Sequence, residues 1–224
     1  MKIKHVLLAA VLMGSLSATA KDYHYTTIPG DAMKTRIYTL DNGLTVYMSV
    51  NKEKPRLQAN IAVKTGSRND PAETTGLAHY LEHLMFKGTQ KFGTTDPAKE
   101  KPYLDEITRR YESYRKLTDP AQRKQAYHEI DSVSQLAAKY NIPNEYDKLM
   151  ASIGSQGTNA YTSNDVTCYV ENIPNNEIEN WAKVQSDRFQ NMVIRGFHTE
   201  LEAVYEEKNI SMASDNTKEF AALW

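Results

Sequence analysis

Cysteine is nearly absent from this sequence: Cys168 is the single one among 224 residues, so no disulfide can form within the chain. Cys168 alternates with Val166 and Val170 in a strand-like run, which predicts a small buried side chain rather than a nucleophile. An excess of either charge is also missing, because 27 basic residues face 28 acidic ones. Without a basic cluster, the sequence predicts no nucleic-acid partner.

Long apolar runs are missing as well, apart from one short run near the start, Val6 to Met13. Lys2 and Lys4 precede this run and small residues ending at Ala20 follow it, which is the pattern of a secretory signal peptide cleaved after Ala20. The run is too short for a bilayer, which needs about 20 apolar residues, so no stable membrane span is expected after cleavage. We therefore predict an exported protein, periplasmic or extracellular.

Residues 74–88 contain His79, Glu82 and His83 in the order His-x-x-Glu-His. In a helix His79 and His83 are one turn apart, so both imidazoles can reach one zinc ion at about 2.0–2.1 Å. Glu82 can take a proton from a zinc-bound water and pass it to a leaving amine. The competing interpretation is a helix with two unrelated surface histidines. The helix is expected to begin at Thr74 or Thr75 and to pack through an apolar stripe of Leu77, Leu81, Leu84 and Met85.

The last helix, which begins near residue 199, carries Glu200 and Glu207 two turns apart on one small, apolar face. Carboxylates on such a face are costly to bury without a positive partner, and a zinc ion held by two histidines would supply one. Glu207 is therefore the candidate third ligand, with Glu206 as its rival, and Glu200 is its supporting neighbour. Acidic residues at a helix start also favour the helix dipole without any metal, which stays open as an explanation for Glu200.

The remaining pattern predicts an α+β chain in which one sheet is interrupted by helices. From Asp96 to about Ala151 the sequence is charged and helical, and Asp119-Pro120 separates two apolar stripes, which indicates an inserted helical hairpin. Asp41-Asn42-Gly43 is a hairpin turn between two strands. The predicted β segments are 23–28, 35–40, 44–50, 57–64 and 158–171. A helix is predicted over 176–192, with a core stripe of Ile178, Trp181, Val184 or Gln185, Phe189 and Met192.

These residues resemble the insulinase/pitrilysin family of zinc metallopeptidases. The family's inverted motif matches His79, Glu82 and His83, and its downstream Glu-x6-Glu matches Glu200 and Glu207. Two further stretches are similar, in the active-site strand and in the helix before the glutamates: Asn159-Ala160-Tyr161-Thr162-Ser163 and Asp187-Arg188-Phe189. The resemblance covers about residues 33–95 and 154–215.

The resemblance implies a zinc-dependent endopeptidase or oligopeptidase that acts on extended peptides or unfolded polypeptides. The implied fold is a metallohydrolase-like α/β roll, an antiparallel-rich mixed sheet packed against helices. In the implied site the strand at Asn159 and Ala160 holds the substrate by β-addition. The other implied roles are Zn2+ ligands for His79, His83 and Glu207, general base for Glu82, and support of the site for Glu200.

The sequence departs from the family in its long helical insertion and in stopping at Trp224, where the family's first domain continues and a second, similar domain follows. Residues 21–224 are thus expected to be a truncated N-terminal catalytic domain that needs a second homologous domain or subunit to close its cleft. The alternative is a non-catalytic substrate-binding or assembly subunit of a two-part peptidase. Binding of peptide without zinc and without cleavage would favour that alternative.

Overall fold

A computed structural model describes residues 22–213, so the predicted signal peptide, residues 1–20, lies outside the described part. The chain divides into two compact units, one up to Lys54 and one from Pro55 onward. Within the described range, no helix has both the length and the apolar character needed to cross a membrane.

The first unit contains a three-stranded antiparallel sheet with its strands in sequential order. The predicted turn between the second and third strands is present. Gly43 has a φ of +85°, which residues with a side chain rarely adopt, and the Asn42 side chain accepts a hydrogen bond from the Leu44 N–H at 3.1 Å. The strands are β1 (Tyr25–Thr27), β2 (Arg36–Thr39) and β3 (Thr45–Met48).

The second unit contains a separate antiparallel sheet of three strands, β4 (Arg56–Val63), β5 (Gln156–Thr162) and β6 (Thr167–Pro174). Their order is β4-β6-β5, with β6 in the centre. β4 pairs with β6 along its whole length. The β pattern predicted over 158–171 is two strands, joined by a turn that a hydrogen bond from the Ser163 N–H to the Val166 carbonyl closes at 2.8 Å.

Some helices of the second unit pack against this sheet, which confirms the predicted α+β class. The helices of this unit in the described range are α1 (Leu77–Leu84), α2 (Pro97–Tyr114), α3 (Pro120–Ala138), α4 (Glu145–Ser152), α5 (Ile178–Asn191) and α6 (Phe197–Ala213). We call α2 and α3 the helical hairpin. Asp119 caps α3 as predicted, because its carboxylate accepts a hydrogen bond from the Gln122 N–H at 2.8 Å. The hairpin has its own core of Ile107, Ile130 and Ala137.

The helix α1 begins after Gly76 rather than at Thr74 or Thr75. Its first turn is capped from upstream, since the two carboxylate oxygens of Asp70 accept hydrogen bonds from the N–H groups of Gly76 and Ala78 at 2.7 and 2.8 Å. Asp70 is six and eight residues before the two N–H groups that it caps, whereas a capping side chain usually lies within three residues of the N–H group that it bonds. The sequence therefore suggested the wrong start.

The predicted apolar stripe of α1 is half wrong. Leu84 and Met85 are buried, but Leu77 and Leu81 are 51% and 44% exposed. The buried residues of this helix are Ala78, Tyr80, Glu82 and Leu84. At about 100° per residue, Ala78 and Glu82 lie on one side of the helix and Tyr80 and Leu84 on the opposite side, so the helix is covered on two sides and Glu82 is inside the fold.

The core stripe of α5 also needs correction, because Ile178 and Phe189 are substantially exposed while Arg188 is fully buried. The Arg188 guanidinium lies 4.4 Å from the ring centre of Tyr146 and 4.6 Å from that of Tyr169. Burial lowers the pKa of Arg188, and the aromatic rings stabilise its charge by cation–π contacts. A periodicity analysis counts arginine as polar and so leaves it out of the core.

Asp187 offers a direct test of the packing between α5 and the loop after α1. Burial alone would raise its pKa, but hydrogen bonds from Lys91, Thr89 and Asn191, at 2.7, 2.6 and 2.9 Å, outweigh that effect and hold the pKa below 3.8. We expect Asp187→Asn to lower the free energy of unfolding by about 1–2 kcal/mol at pH 7. Because the folded pKa is the lower one, this difference should shrink as the pH falls below 3.8 and disappear once the pH passes the still lower folded pKa. Urea titrations at pH 7 and pH 3 measure it, and an equal difference at both would contradict the assignment.

Candidate metal centre

Two helices far apart in sequence bring three of the predicted side chains to one point. The Nε2 atoms of His79 and His83, both on α1, are 3.1 Å apart. On α6, Oε2 of Glu207 lies 3.7 Å from the first and 3.5 Å from the second. Among the described residues these three form a group whose donor atoms all lie within 4.8 Å of one another, and the rival Glu206 does not belong to it.

The spacing of the three donor atoms fits a zinc ion. A triangle with these sides has its centre about 2.0 Å from each corner, which is the length of a zinc–nitrogen or zinc–oxygen bond. The side chains of His79 and Glu207 are 41% and 52% exposed, so a fourth ligand has access, as in catalytic zinc sites. The residues therefore fit the metal, while the binding of zinc by them stays a prediction.

His83 is oriented by a partner on the far side of its ring. The Glu200 carboxylate accepts a hydrogen bond from Nδ1 at 2.9 Å, which leaves the lone pair of Nε2 facing His79 and Glu207. Lys87 pairs with the other oxygen of Glu200. The bond to Glu200 raises the pKa of His83 against the opposing effect of burial, and the same bond lowers the pKa of Glu200.

Glu82 is next to His83 in sequence but has a different partner. It is buried, and the hydroxyl of Thr162, at the end of β5, donates a hydrogen bond to its Oε2. The Thr162 hydroxyl lies 3.3 Å from that of Thr167, which donates to the Thr65 carbonyl at 3.0 Å. This series of hydroxyl groups fixes the orientation of the Glu82 carboxylate.

The strand β5, which contains Asn159 and Ala160, lies at the edge of its sheet: within the described part of the chain it pairs with β6 alone. It also contacts α1, and its last residue is the Thr162 that touches Glu82. Asn159 is exposed and Ala160 half-buried. The structure thus places the predicted substrate strand beside the site helix, and its role in binding substrate stays a prediction.

Three residues near the site were missed by the sequence analysis, namely Asp70, Lys87 and Thr162. Lys87 follows His83 by four residues, a spacing that brings side chains together in a helix and could have been noticed. Thr162 stands within the stretch that resembles the family's active-site strand. Its contact with Glu82 spans 80 residues, and no local pattern indicates which hydroxyl will reach a given carboxylate.

We expect Glu200→Gln to weaken zinc binding by about tenfold, because a neutral amide polarises the His83 ring less than a carboxylate does. The matched control is Glu206→Gln on the same helix, which should leave the affinity within about twofold of the wild type, since Glu206 lies outside the donor group. Competition with a chromophoric chelator measures both dissociation constants. A larger loss in Glu206→Gln than in Glu200→Gln would contradict the geometry.

Two imidazoles and one carboxylate, contributed by separate helices beside a buried carboxyl group, match the His2Glu donor set of zinc peptidases. The fold and this candidate site thus indicate the metallohydrolase class. Residues 45–100 match the family model described as insulinase, peptidase family M16.

Three relatives agree with this match. An insulin-degrading enzyme homolog of Dictyostelium discoideum is 35% identical over 92 residues, which are 41% of this chain and 9% of that protein. A mitochondrial-processing peptidase subunit beta of Neurospora crassa is 44% identical over 62 residues, 28% of this chain and 13% of that one. A Schizosaccharomyces pombe protein named as a zinc protease is 37% identical over 75 residues, 34% of this chain and 8% of that one.

The crystal structure of pitrilysin shares the fold, with a TM-score of 0.52 at 17% identity over 85% of this chain and 16% of that one. The matches therefore span only a small part of these longer proteins. Together they support the predicted relation of this chain to the insulinase family of metallopeptidases, through the family-model match over residues 45–100 and the fold shared with pitrilysin.

Proposed function

We propose that this chain is the metal-binding part of a zinc-dependent endopeptidase or oligopeptidase that hydrolyses extended peptides or unfolded polypeptides. Its family supports peptide cleavage in general. The observation that carries the finer proposal is the convergence of His79, His83 and Glu207 on one point, with Glu82 beside them. The similarity to a protein named as a zinc protease supports zinc as the metal.

Glu82 is the residue that we assign to proton transfer. Zinc, when held by the three donors, supplies a Lewis acid that polarises a peptide carbonyl and makes water more acidic. Glu82 accepts a proton from the attacking water and later delivers it to the leaving amine nitrogen. The hydrogen bond from Thr162 keeps the carboxylate in one orientation, so the same group is in place for both transfers.

The edge strand β5 is where we expect the substrate backbone to bind. An extended peptide can add to β5 as a further strand, using the backbone N–H and carbonyl groups near Asn159 and Ala160. Recognition through backbone groups tolerates many side chains, which suits unfolded polypeptides as substrates. The strand ends at Thr162, so a peptide bound along it is led towards Glu82.

A second homologous domain or subunit would cover the open side of the site. Support comes from a relative that is named as a subunit and from apolar side chains near the site that are exposed, with Leu77, Leu81 and Tyr205 between 44% and 63%. We further propose that the protein is exported, on the basis of the signal-peptide pattern in residues 1–20. Amino-terminal sequencing of the native protein tests this, with a new terminus at Lys21 as the expected result.

Chelation tests the peptidase proposal in the native protein that contains this chain. We expect about one zinc ion per chain, loss of hydrolysis of an unstructured fluorogenic peptide with 1,10-phenanthroline, and recovery on addition of zinc. The non-chelating 1,7-isomer is the control and should have no effect. Peptide binding with neither zinc nor cleavage would favour the alternative, a non-catalytic substrate-binding or assembly subunit.

A further inference from the structure

The helix α6 carries Glu207, yet it is anchored near its beginning. Among its described residues His198 alone is buried, and from residue 205 onward every residue is exposed. The position of Glu207 therefore depends on how the first turn is held. His198 and Glu207 are nine residues apart, about 13.5 Å along the helix axis.

The helical hairpin supplies part of this anchor, beside the contacts of Glu200 with His83 and Lys87. The Tyr111 hydroxyl on α2 shares a hydrogen bond of 2.7 Å with Nδ1 of His198. On α3 the Tyr127 ring centre lies 4.5 Å from that of His198, and Asp131 lies 3.7 Å from its Nε2. The Tyr127 hydroxyl also donates a hydrogen bond to Glu202 at 3.4 Å.

Two residues that precede His198 also contact neighbouring helices. The Phe197 ring packs edge-on against Tyr111 with ring centres 4.9 Å apart, and its carbonyl accepts a hydrogen bond from Tyr80 of α1. Just before the helix, Arg195 forms a buried ion pair with Glu100 of α2 at 2.6 Å. The first turn of α6 is thus fixed between the site helix α1 and the hairpin.

We propose that the helical hairpin is a positioning element of the metal site, acting through Tyr111 and His198 on the helix that carries Glu207. A tilt of about 10° at His198 would move the backbone of Glu207 by about 2 Å. Metal ligands tolerate errors of only about 0.2 Å, so the anchor controls whether Glu207 reaches the ion. His79 and His83 lie on α1. Glu200, which orients His83, is only two residues from His198, so the same tilt would move its backbone by only about 0.5 Å. The inference rests on the proposed metal binding.

Zinc and cobalt affinities of the full chain test this inference through a double-mutant cycle. His198→Ala should weaken binding by about tenfold, because the loss of a residue that orients a ligand costs about 10–100-fold. In the Glu207→Ala background the same change should have no further effect, since the ligand that it positions is already absent. His128→Ala, an exposed histidine of the same hairpin, is the matched control and should bind like the wild type.

Tyr111→Phe provides a second, milder variant that keeps the aromatic packing and removes one hydroxyl group. It should weaken binding about threefold, again only when Glu207 is present. If the wild type binds no zinc, or if Glu207→Ala binds as tightly as the wild type, the proposed function itself fails. If Glu207→Ala weakens binding but His198→Ala does not, or weakens it equally in both backgrounds, the positioning role is overturned and the metal site stands.

Discussion

Replacing Glu82 by glutamine is expected to reduce kcat/KM for peptide hydrolysis by about 100- to 10,000-fold, the range that a positioned general acid–base group contributes. Glutamine has nearly the same shape, and its amide oxygen can still accept the hydrogen bond that Thr162 donates to Glu82. It has no oxygen basic enough to take a proton from water near pH 7. The variant therefore removes proton transfer and leaves the packing of the buried side chain nearly intact.

Zinc affinity distinguishes this role from metal binding. Glu82 lies outside the group of three donors, so Glu82→Gln should keep its zinc dissociation constant within about threefold of the wild type. Glu207→Gln is the matched comparison and should weaken both zinc binding and hydrolysis, because Glu207 is one of the three donors. Full activity in Glu82→Gln would refute the assignment of the base, and loss of zinc from it would show that Glu82 acts as a ligand instead.

The parts of the site that could be predicted are those whose spacing is short and fixed by a helix. His79 and His83 are one turn apart on any α-helix, and Glu200 and Glu207 are two turns apart on another, so each pair could be assigned to a single face. The sequence could not show that these two faces meet. That step rested on the argument that a carboxylate on an apolar face needs a positive partner and on the resemblance to a family, and the structure supplies the distances.

The errors of prediction have a common physical cause. Whether a helix residue is buried depends on which residues of the rest of the fold pack against it or bond to it. The residues of α1 that are buried in the fold include Tyr80 and Glu82 but not Leu77 and Leu81. Tyr80 and Glu82 are buried because they hydrogen-bond across the fold to Phe197 and Thr162. Hydrophobic periodicity scores a residue by type and cannot include a hydrogen-bonding partner about 80 or 117 residues away.

The buried ion pair between Glu100 and Arg195 should show the largest effect on stability. Their side chains are 1% and 3% exposed, and the guanidinium donates to both carboxylate oxygens at 2.6 and 2.8 Å. It also donates to the carbonyls of Lys87 and Thr89, near the start of the loop that follows the site helix. We expect Glu100→Gln to lower the free energy of unfolding by about 3–5 kcal/mol, because an unpaired guanidinium is left buried.

At about 2–4 °C per kcal/mol for a chain of this size, Tm should fall by about 6–20 °C, which calorimetry measures. The control is Asp105→Asn in the exposed Lys101–Asp105 pair of the same helix, with side chains 67% and 63% exposed. This variant should shift Tm by no more than about 2 °C.

The double variant Glu100→Leu/Arg195→Met removes both charges of the buried pair, so part of the lost stability should be recovered. If the double variant is less stable than Glu100→Gln, the bonds from Arg195 to the Lys87 and Thr89 carbonyls matter more than the ion pair. If Glu100→Gln melts like the wild type, the pair contributes nothing to the stability of the loop and of α6.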